Sequence, residues 1–317
     1  MRRLATGGRQ VTALARSAES AAVLESLGAR PVHGDVLDRV SLIAGMRGCD
    51  VVYHVAGINA FCLPDPEPMF RTSIEGTRLV VEAAADAGVR RLVYTSSAAT
   101  LGERAGTTGD ERSEHRGSFL SNYERSRYEA ELAATAAARA HAVELVCVNP
   151  ASVQGPGRTR GTARLLLDLL TGRLPAIVDS RLSVVDVADC AAGHLLAEAR
   201  GRPGERYVLC GASMTTREAV ALLSEVGGTD IKVRFVPPRL ALAAGAGGEA
   251  WGRLRGRRPR ICRELVRTLV HGHAYDGSKA ERELGLRYTP IRESLRRTLT
   301  WYAEHGYLTR TSPGTAG

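Results

Sequence analysis

Tyr123 and Arg127 stand four residues apart in the stretch Ser121-Asn122-Tyr123-Glu124-Arg125-Ser126-Arg127. On a helix that spacing puts both side chains on one face, one turn apart. A phenol ordinarily titrates near about 10, so it trades protons at neutral pH only where something stabilises its anion. A cation held beside it does so. Upstream, Thr95-Ser96-Ser97 closes an apolar run, and a Ser97 hydroxyl presented at a strand end could hold the same substrate oxygen. Carbonyl reduction needs this constellation, although an arginine stands where the chemistry favours a lysine.

These residues have to be positioned by a scaffold, and the first two-thirds of the chain alternates short apolar runs with helical stretches. That pattern predicts a parallel sheet covered by helices. Strands are expected at 11–15, 30–35, 51–56, 91–95 and 143–149. Helices are expected at 21–27, at about 68–87 and from Tyr123 to about Ala140. After Pro150 the pattern changes, with a loop at 155–158, a helix at 162–170, strands at 182–187 and 206–209, and a helix at 189–200. Shorter helices are expected at 216–226, 239–252, 261–270 and 291–305. The expected organisation is a nucleotide-binding core over 1–155, a smaller substrate lobe over 156–310 interleaved with late core strands, and a frayed tail at 311–317.

Bulk properties narrow the classes. The chain has 317 residues, 44% of them apolar and 24% charged, as is ordinary for a globular protein. No apolar run reaches the roughly 20 residues of a spanning helix, and the first residues lack the apolar core of a signal peptide. A cytoplasmic protein with no membrane partner is expected. The net charge of +9 is carried almost wholly by arginine, with only Lys232 and Lys279 as lysines. The dense run at 253–260 lacks interleaved aromatics, so a solvated face or an anionic-substrate contact is expected in preference to nucleic acid. The six cysteines are scattered with no C-x-x-C pair and are expected to be buried free thiols. His271-x-His273 is too short a signal for a metal, and no metal site is expected.

Several segments in order resemble the extended short-chain dehydrogenases/reductases, in the dihydroflavonol-reductase-like and epimerase/dehydratase group. They are Val11 to Ser17, Gly34-Asp35-Val36-Leu37-Asp38, His54-Val55-Ala56-Gly57, Glu75-Gly76-Thr77 and Val93 to Gly102. Tyr123-x-x-Ser126-Arg127-x-x-Ala130-Glu131 and Asn149 to Gly157 continue the match. Ser183 to Asp189, Gly204 to Tyr207 and Ala280 to Gly285 complete it. Leu174 to Asp179 is similar to a run in hopanoid-associated sugar epimerases. The resemblance implies a Rossmann-like doubly wound α/β sheet, with Ser97 binding the carbonyl oxygen and Tyr123 moving the proton. It also implies that position 127 holds the nicotinamide ribose.

The same resemblance implies a cofactor site. Arg16 and Ser17 would meet the 2′-phosphate of NADP, with NAD the alternative; Asp35 and Val36 would meet the adenine. Ala56 and Gly57 lie near the pyrophosphate and ribose, Thr95 beside the site, and Pro150 and Val153 face the nicotinamide. Asp186, Asp189 and His194 are expected to serve as a helix cap and structural hydrogen-bond partners.

Three departures qualify these implications. Arg127 keeps the charge but is bulkier than lysine and passes no proton in a relay. Either restricted activity or a pocket adapted to arginine follows. Ser73 stands where relatives usually carry asparagine. Lastly, no glycine-rich dinucleotide turn occurs near the start, and Gly7-Gly8 reads instead as the stop of a helix over 1–6. That register predicts upstream in-frame codons for a strand and a glycine turn, and weak dinucleotide binding and poor folding without them.

The leading expectation is an NADP-dependent reductase of a ketone or aldehyde on a small organic substrate. A nucleotide-sugar epimerase or dehydratase, served by Arg158, Arg160 and the 253–260 arginines, is the alternative, and a catalytically weak sensor of the same fold is the third. Dimerisation through the helices near 68–87 and 121–140 is usual for relatives.

Overall fold

The sheet is parallel where the sequence runs are most apolar. In the computed structural model, which describes residues 1–308 except 258 and 260, β4 (Arg91–Thr95) and β5 (Glu144–Pro150) form its centre. Their side chains alternate between two buried layers, as a sheet covered on both faces requires. Leu92, Tyr94, Leu145 and Cys147 face one cluster, and Val93, Val146 and Val148 face the other. The flanking strands are β3 (Val51–His54) and, from late in the chain, β9 (Arg206–Leu209), giving the order β3-β4-β5-β9. A separate parallel pair joins β1 (Thr12–Ala15) to β2 (Arg30–His33). No described strand fills the position between β1 and β3, where a doubly wound order puts its first strand.

Helices α1 (Arg2–Thr6), α2 (Ala18–Ser26) and α3 (Arg39–Met46) belong to the first third. Gly7-Gly8 ends α1, Gly8 at φ +76°. The single helix expected over 68–87 is three pieces: α4 (Glu67–Phe70), a π-helical turn (Arg71–Glu75) and α5 (Gly76–Asp86). Then α6 (Asn122–His141) packs Ala130, Ala134, Ala137 and Ala138 against Val80, Val81, Ala83 and Ala84 of α5. These small side chains let the two helices lie close over β4 and β5. On the other sheet face, α8 (Val187–Arg200) buries Cys190 and Ala197.

The remaining elements build the rest of the C-terminal half. They are β6 (Ser152–Gln154), α7 (Thr162–Leu170), β7 (Ala176–Val178), β8 (Arg181–Asp186), β10 (Ala212–Thr215), α9 (Thr216–Gly227) and β11 (Arg234–Val236), followed by α10 (Pro238–Leu254), α11 (Arg263–His271) and α12 (Ile291–Glu304). Strands β10, β8 and β6 make one small sheet, and β11 pairs with β7. The four strands β6, β7, β10 and β11 were not expected from the sequence; each has only three or four residues. The tail at 311–317 lies outside the described residues, as do residues 258 and 260 and the side chain of Arg253 in the arginine run. No described helix is long and apolar enough to cross a membrane.

One cysteine reading is corrected. Cys62 and Cys262 form a disulfide, their Cα atoms 5.7 Å apart across 200 residues of sequence; Cys49, Cys147, Cys190 and Cys210 are free. Spacing could not announce this pair, because only the folded chain brings the two ends of so long a loop together. Breaking a cross-link of this kind costs about 2–5 kcal/mol. Cys262→Ser should therefore lower the thermal midpoint under non-reducing conditions, and dithiothreitol should lower the parent's midpoint to a similar degree while barely moving the variant's. An unchanged midpoint in both comparisons would mean that the bond does not form.

Candidate active site

The sequence-identified site residues lie at or just after the carboxyl ends of parallel strands, or on α6. Arg16 and Ser17 follow β1, and Asp35 and Val36 follow β2. Ala56 and Gly57 come after β3, Ser97 after β4, and Val153 within the β6 segment that follows Pro150 at the end of β5. This is the edge at which open α/β sheets bind ligands. Helix α6 starts on a proper cap, with Ser121 Oγ accepting from Glu124 N at 3.2 Å. Glu264 of α11 adds a carboxylate at the same terminus, accepting from Asn122 N at 2.9 Å and also from Cys62 N. An anion there complements the helix dipole. The disulfide lies alongside, and Phe61 packs on Tyr123 with ring centroids 5.6 Å apart.

One turn after Tyr123, Arg127 is buried, only 6% exposed. Its guanidinium lies within 5.9 Å of the Tyr123 ring centroid. It also rests on Gly57, where an added Cβ would fall 2.6 Å from Nη1, so any larger residue would displace it. No carboxylate of the described residues pairs with it, and its Nε and Nη1 have no hydrogen-bond partner. Burial weakens its hold on the proton, but the Tyr123 and Tyr94 phenols more than compensate, and its pKa is raised. His54, stacked on Tyr94 at 5.3 Å, is pushed down to about 3 by burial and then by the Arg127 charge. Its Nε2 meets Thr77 Oγ1 at 2.9 Å. His54 therefore adds no second positive charge beside Arg127 at neutral pH. A buried cation with two vacant donors fits an anionic or polyhydroxylic ligand group.

A second buried network holds the serine loop. Glu131 of α6 accepts from Ser96 Oγ, from Thr100 Oγ1 at 3.0 Å and from Asn149 Nδ2 at 2.7 Å, and pairs with Arg206 at 3.1 Å. Asn149 Nδ2 also donates to the Ser97 carbonyl at 3.2 Å. Ser97 Oγ accepts from Ala99 N at 3.3 Å, which leaves its own O–H available to a substrate oxygen. Sequence reasoning included Glu131 in a motif without giving it this positioning role. Ser73 is fully buried in the π-helical turn, its hydroxyl unpartnered.

The remaining assignments are placed as follows. Thr95 Oγ1 is engaged by His194 Nε2 at 2.8 Å, and His194 Nδ1 by the Cys190 carbonyl at 2.7 Å. Asp186 caps α8 through Ala188 N, and Asp189 accepts from Thr289 N and Oγ1. These serve the structural ends expected of them. Ser17 caps α2 through Ser20 N, and Arg16 is exposed, 3.9 Å from Asp35. Val36 packs on Gly76.

Comparison with known proteins gives the family and the fold. Residues 1–210 match the model of the NAD dependent epimerase/dehydratase family. The chain belongs to that family. It is 34% identical over 316 residues to a putative dihydroflavonol 4-reductase of Synechocystis sp., covering 97% of this chain and 92% of that one. Among solved structures, gox2253 superposes with a TM-score of 0.82 at 30% identity, covering 97% of this chain and 94% of its own. A dTDP-glucose 4,6-dehydratase double mutant of Streptomyces venezuelae, solved with NAD and DAU bound, superposes at 0.73 with 25% identity, covering 93% and 88%. The family member described here is an oxidoreductase of the nicotinamide dinucleotide class, built on the Rossmann-like fold.

The depressed His54 gives a pH signature. Its folded pKa lies below the ordinary 6.5, so the unfolded chain takes up a proton that the folded chain refuses. This contribution to stability is complete above about pH 6.5 and is lost as the pH falls toward 3. The thermal midpoint should drop between pH 7 and pH 5, and the drop should be smaller in His54→Gln. Equal drops in the two proteins would exclude His54 as a source.

Proposed function

We propose that this family member is an NADP-dependent reductase of a ketone or aldehyde on a small organic substrate. The observation that carries the reading is the buried guanidinium of Arg127 with vacant donors beside the Tyr123 ring. The donor set fits a nicotinamide dinucleotide: Arg127 for the nicotinamide ribose, Ala56 and Gly57 for the adjoining backbone contact, and Pro150 and Val153 for the ring. Asp35 and Val36 would take the adenine, and the exposed Arg16 with Ser17 the 2′-phosphate. When bound, the cofactor supplies the hydride that reaches the carbonyl carbon.

The chain's own residues do the rest. Ser97 donates its free O–H to the carbonyl oxygen and fixes its position, while the Glu131 network keeps the serine loop from shifting. Tyr123 delivers its phenolic proton to the same oxygen. Arg127 offsets the charge left on the phenolate, in a site where burial makes that interaction stronger than in water. The phenol then regains a proton from solvent, because arginine keeps its own. His54 stays neutral and adds no competing charge.

A nucleotide-sugar epimerase or dehydratase is the second reading, favoured by one observation. Arg158, in the loop leading to α7, has a buried Nε without a partner among the described residues, which would suit a diphosphate.

The test follows NADPH oxidation by the protein against ketone, aldehyde and nucleotide-sugar panels. The reductase reading expects turnover of a carbonyl compound, falling by about 100-fold or more in Tyr123→Phe through lost acid–base catalysis. Arg127→Lys should remain active, because it keeps the charge. Turnover of a nucleotide sugar without net NADPH consumption would favour the second reading, and NADPH binding without turnover on any panel would exclude both.

A further inference from the structure

Away from Tyr123, one cluster joins the crossover loop after β4 to the segment that follows α11. Glu103 comes from the loop; His271 ends α11, and His273 lies two residues on. In extended chain, residues two apart on either side of a normal residue share a sheet face, but a helix end offers no such alignment. Here Gly272 sits between them at φ +66°, against Ser180 and Arg181, where a Cβ would clash at 2.4 Å with Ser180 Oγ. The turn it permits brings the two imidazoles side by side, with centroids 5.1 Å apart.

The cluster is closed and under-partnered. His273 Nδ1 is 2.6 Å, and His271 Nε2 3.5 Å, from Glu103 Oε1. The Glu103 and His271 side chains are 1% and 7% exposed, and Glu103 Oε2 and His271 Nε2 have no hydrogen-bond partner among the described residues. One ligand atom from each of the three residues can be chosen so that all lie within 4.8 Å of one another. Tyr275 Oη stands 2.9 Å from His273 Nδ1. A pocket of about 290 Å³ is bordered by Glu103, Arg104, Thr107, Ser113 and Glu114, so it reaches the cluster at its carboxylate residue.

We propose that Glu103, His271 and His273 bind a divalent transition-metal ion of the zinc class. Two imidazoles and a carboxylate are a donor set this class prefers. Ligands each about 2 Å from a common ion stand roughly 3.3 Å apart, so the ion replaces the short His273–Glu103 hydrogen bond and draws on the vacant Glu103 Oε2. Its role is a clamp. Arg116 donates to the Glu103 carbonyl at 3.2 Å and pairs with Glu124, the neighbour of Tyr123, so the clamp steadies the approach to α6.

The test uses the full chain, stripped with a chelator and kept oxidised so that Cys62–Cys262 stays closed. Titration with Co²⁺ should give visible d–d absorption saturating at one equivalent, without a thiolate charge-transfer band. Zn²⁺ should bleach it, and either metal should raise the thermal midpoint. His271→Ala and Glu103→Gln, each verified as folded by circular dichroism, should lose both the spectrum and the shift. His273→Ala replaces either variant that does not fold. No absorption at stoichiometric Co²⁺, a thiolate band, or absorption that survives His271→Ala would overturn the proposal, leaving the cluster a His–Glu hydrogen-bonded contact.

Discussion

A guanidinium taken out of water with no carboxylate among the described residues to meet it is the constraint around which this site is arranged. Stripping an ion of solvent costs several kcal/mol, and each buried donor left empty adds about 1–3 kcal/mol. The fold meets that cost locally with weak means: the face of the Tyr123 ring, the neutral His54 and Tyr94 nearby, and the bare Cα of Gly57. None of these neutralises the charge. A site held in this condition is poised for a ligand, and stability has been given up at the point where binding gains most.

Other elements keep the cation where it is. The alanine stripe of α6 lets it lie close to α5, which brings Arg127 over the β3 loop. At the helix start, Ser121 and Glu264 fix the first turn and with it Tyr123, while Cys62–Cys262 ties Phe61 and α11 to the same corner. Deeper in, Glu131 gathers Ser96, Thr100, Asn149 and Arg206 and so holds Ser97 opposite the helix. Tyrosine, serine and arginine are therefore set by three separate networks that meet at the carboxyl edge of the sheet.

Much of this was legible in the residues. Strand 91–95 and helix 162–170 were placed to the residue, because an unbroken apolar run and an amphipathic one bounded by glycine leave little choice. The helix carrying Tyr123 and Arg127 was visible through its four-residue spacing, whereas its serine cap appears only in the fold. What was hidden depends on residues distant in the chain. Glu131 looks like any helix-surface glutamate until Asn149 and Arg206 arrive. Cys62 and Cys262, or Glu103 with His271 and His273, have no meaningful spacing in one dimension. The π-helical turn at Ser73 interrupts a pattern that reads as continuous helix, and strands of three or four residues are too short for alternation to declare them.

The central claim is that Arg127 is a liability to the folded chain and an asset only to a bound dinucleotide. Thermal unfolding of Arg127→Met, measured with and without NADPH, tests it most directly. The substitution keeps an unbranched chain of similar reach and removes the charge, so without ligand its midpoint should equal or exceed the parent's, while the rise that the proposed function expects NADPH to give the parent should vanish. A midpoint well below the parent's without ligand, with the NADPH-dependent rise intact, would contradict the claim and make Arg127 a structural residue.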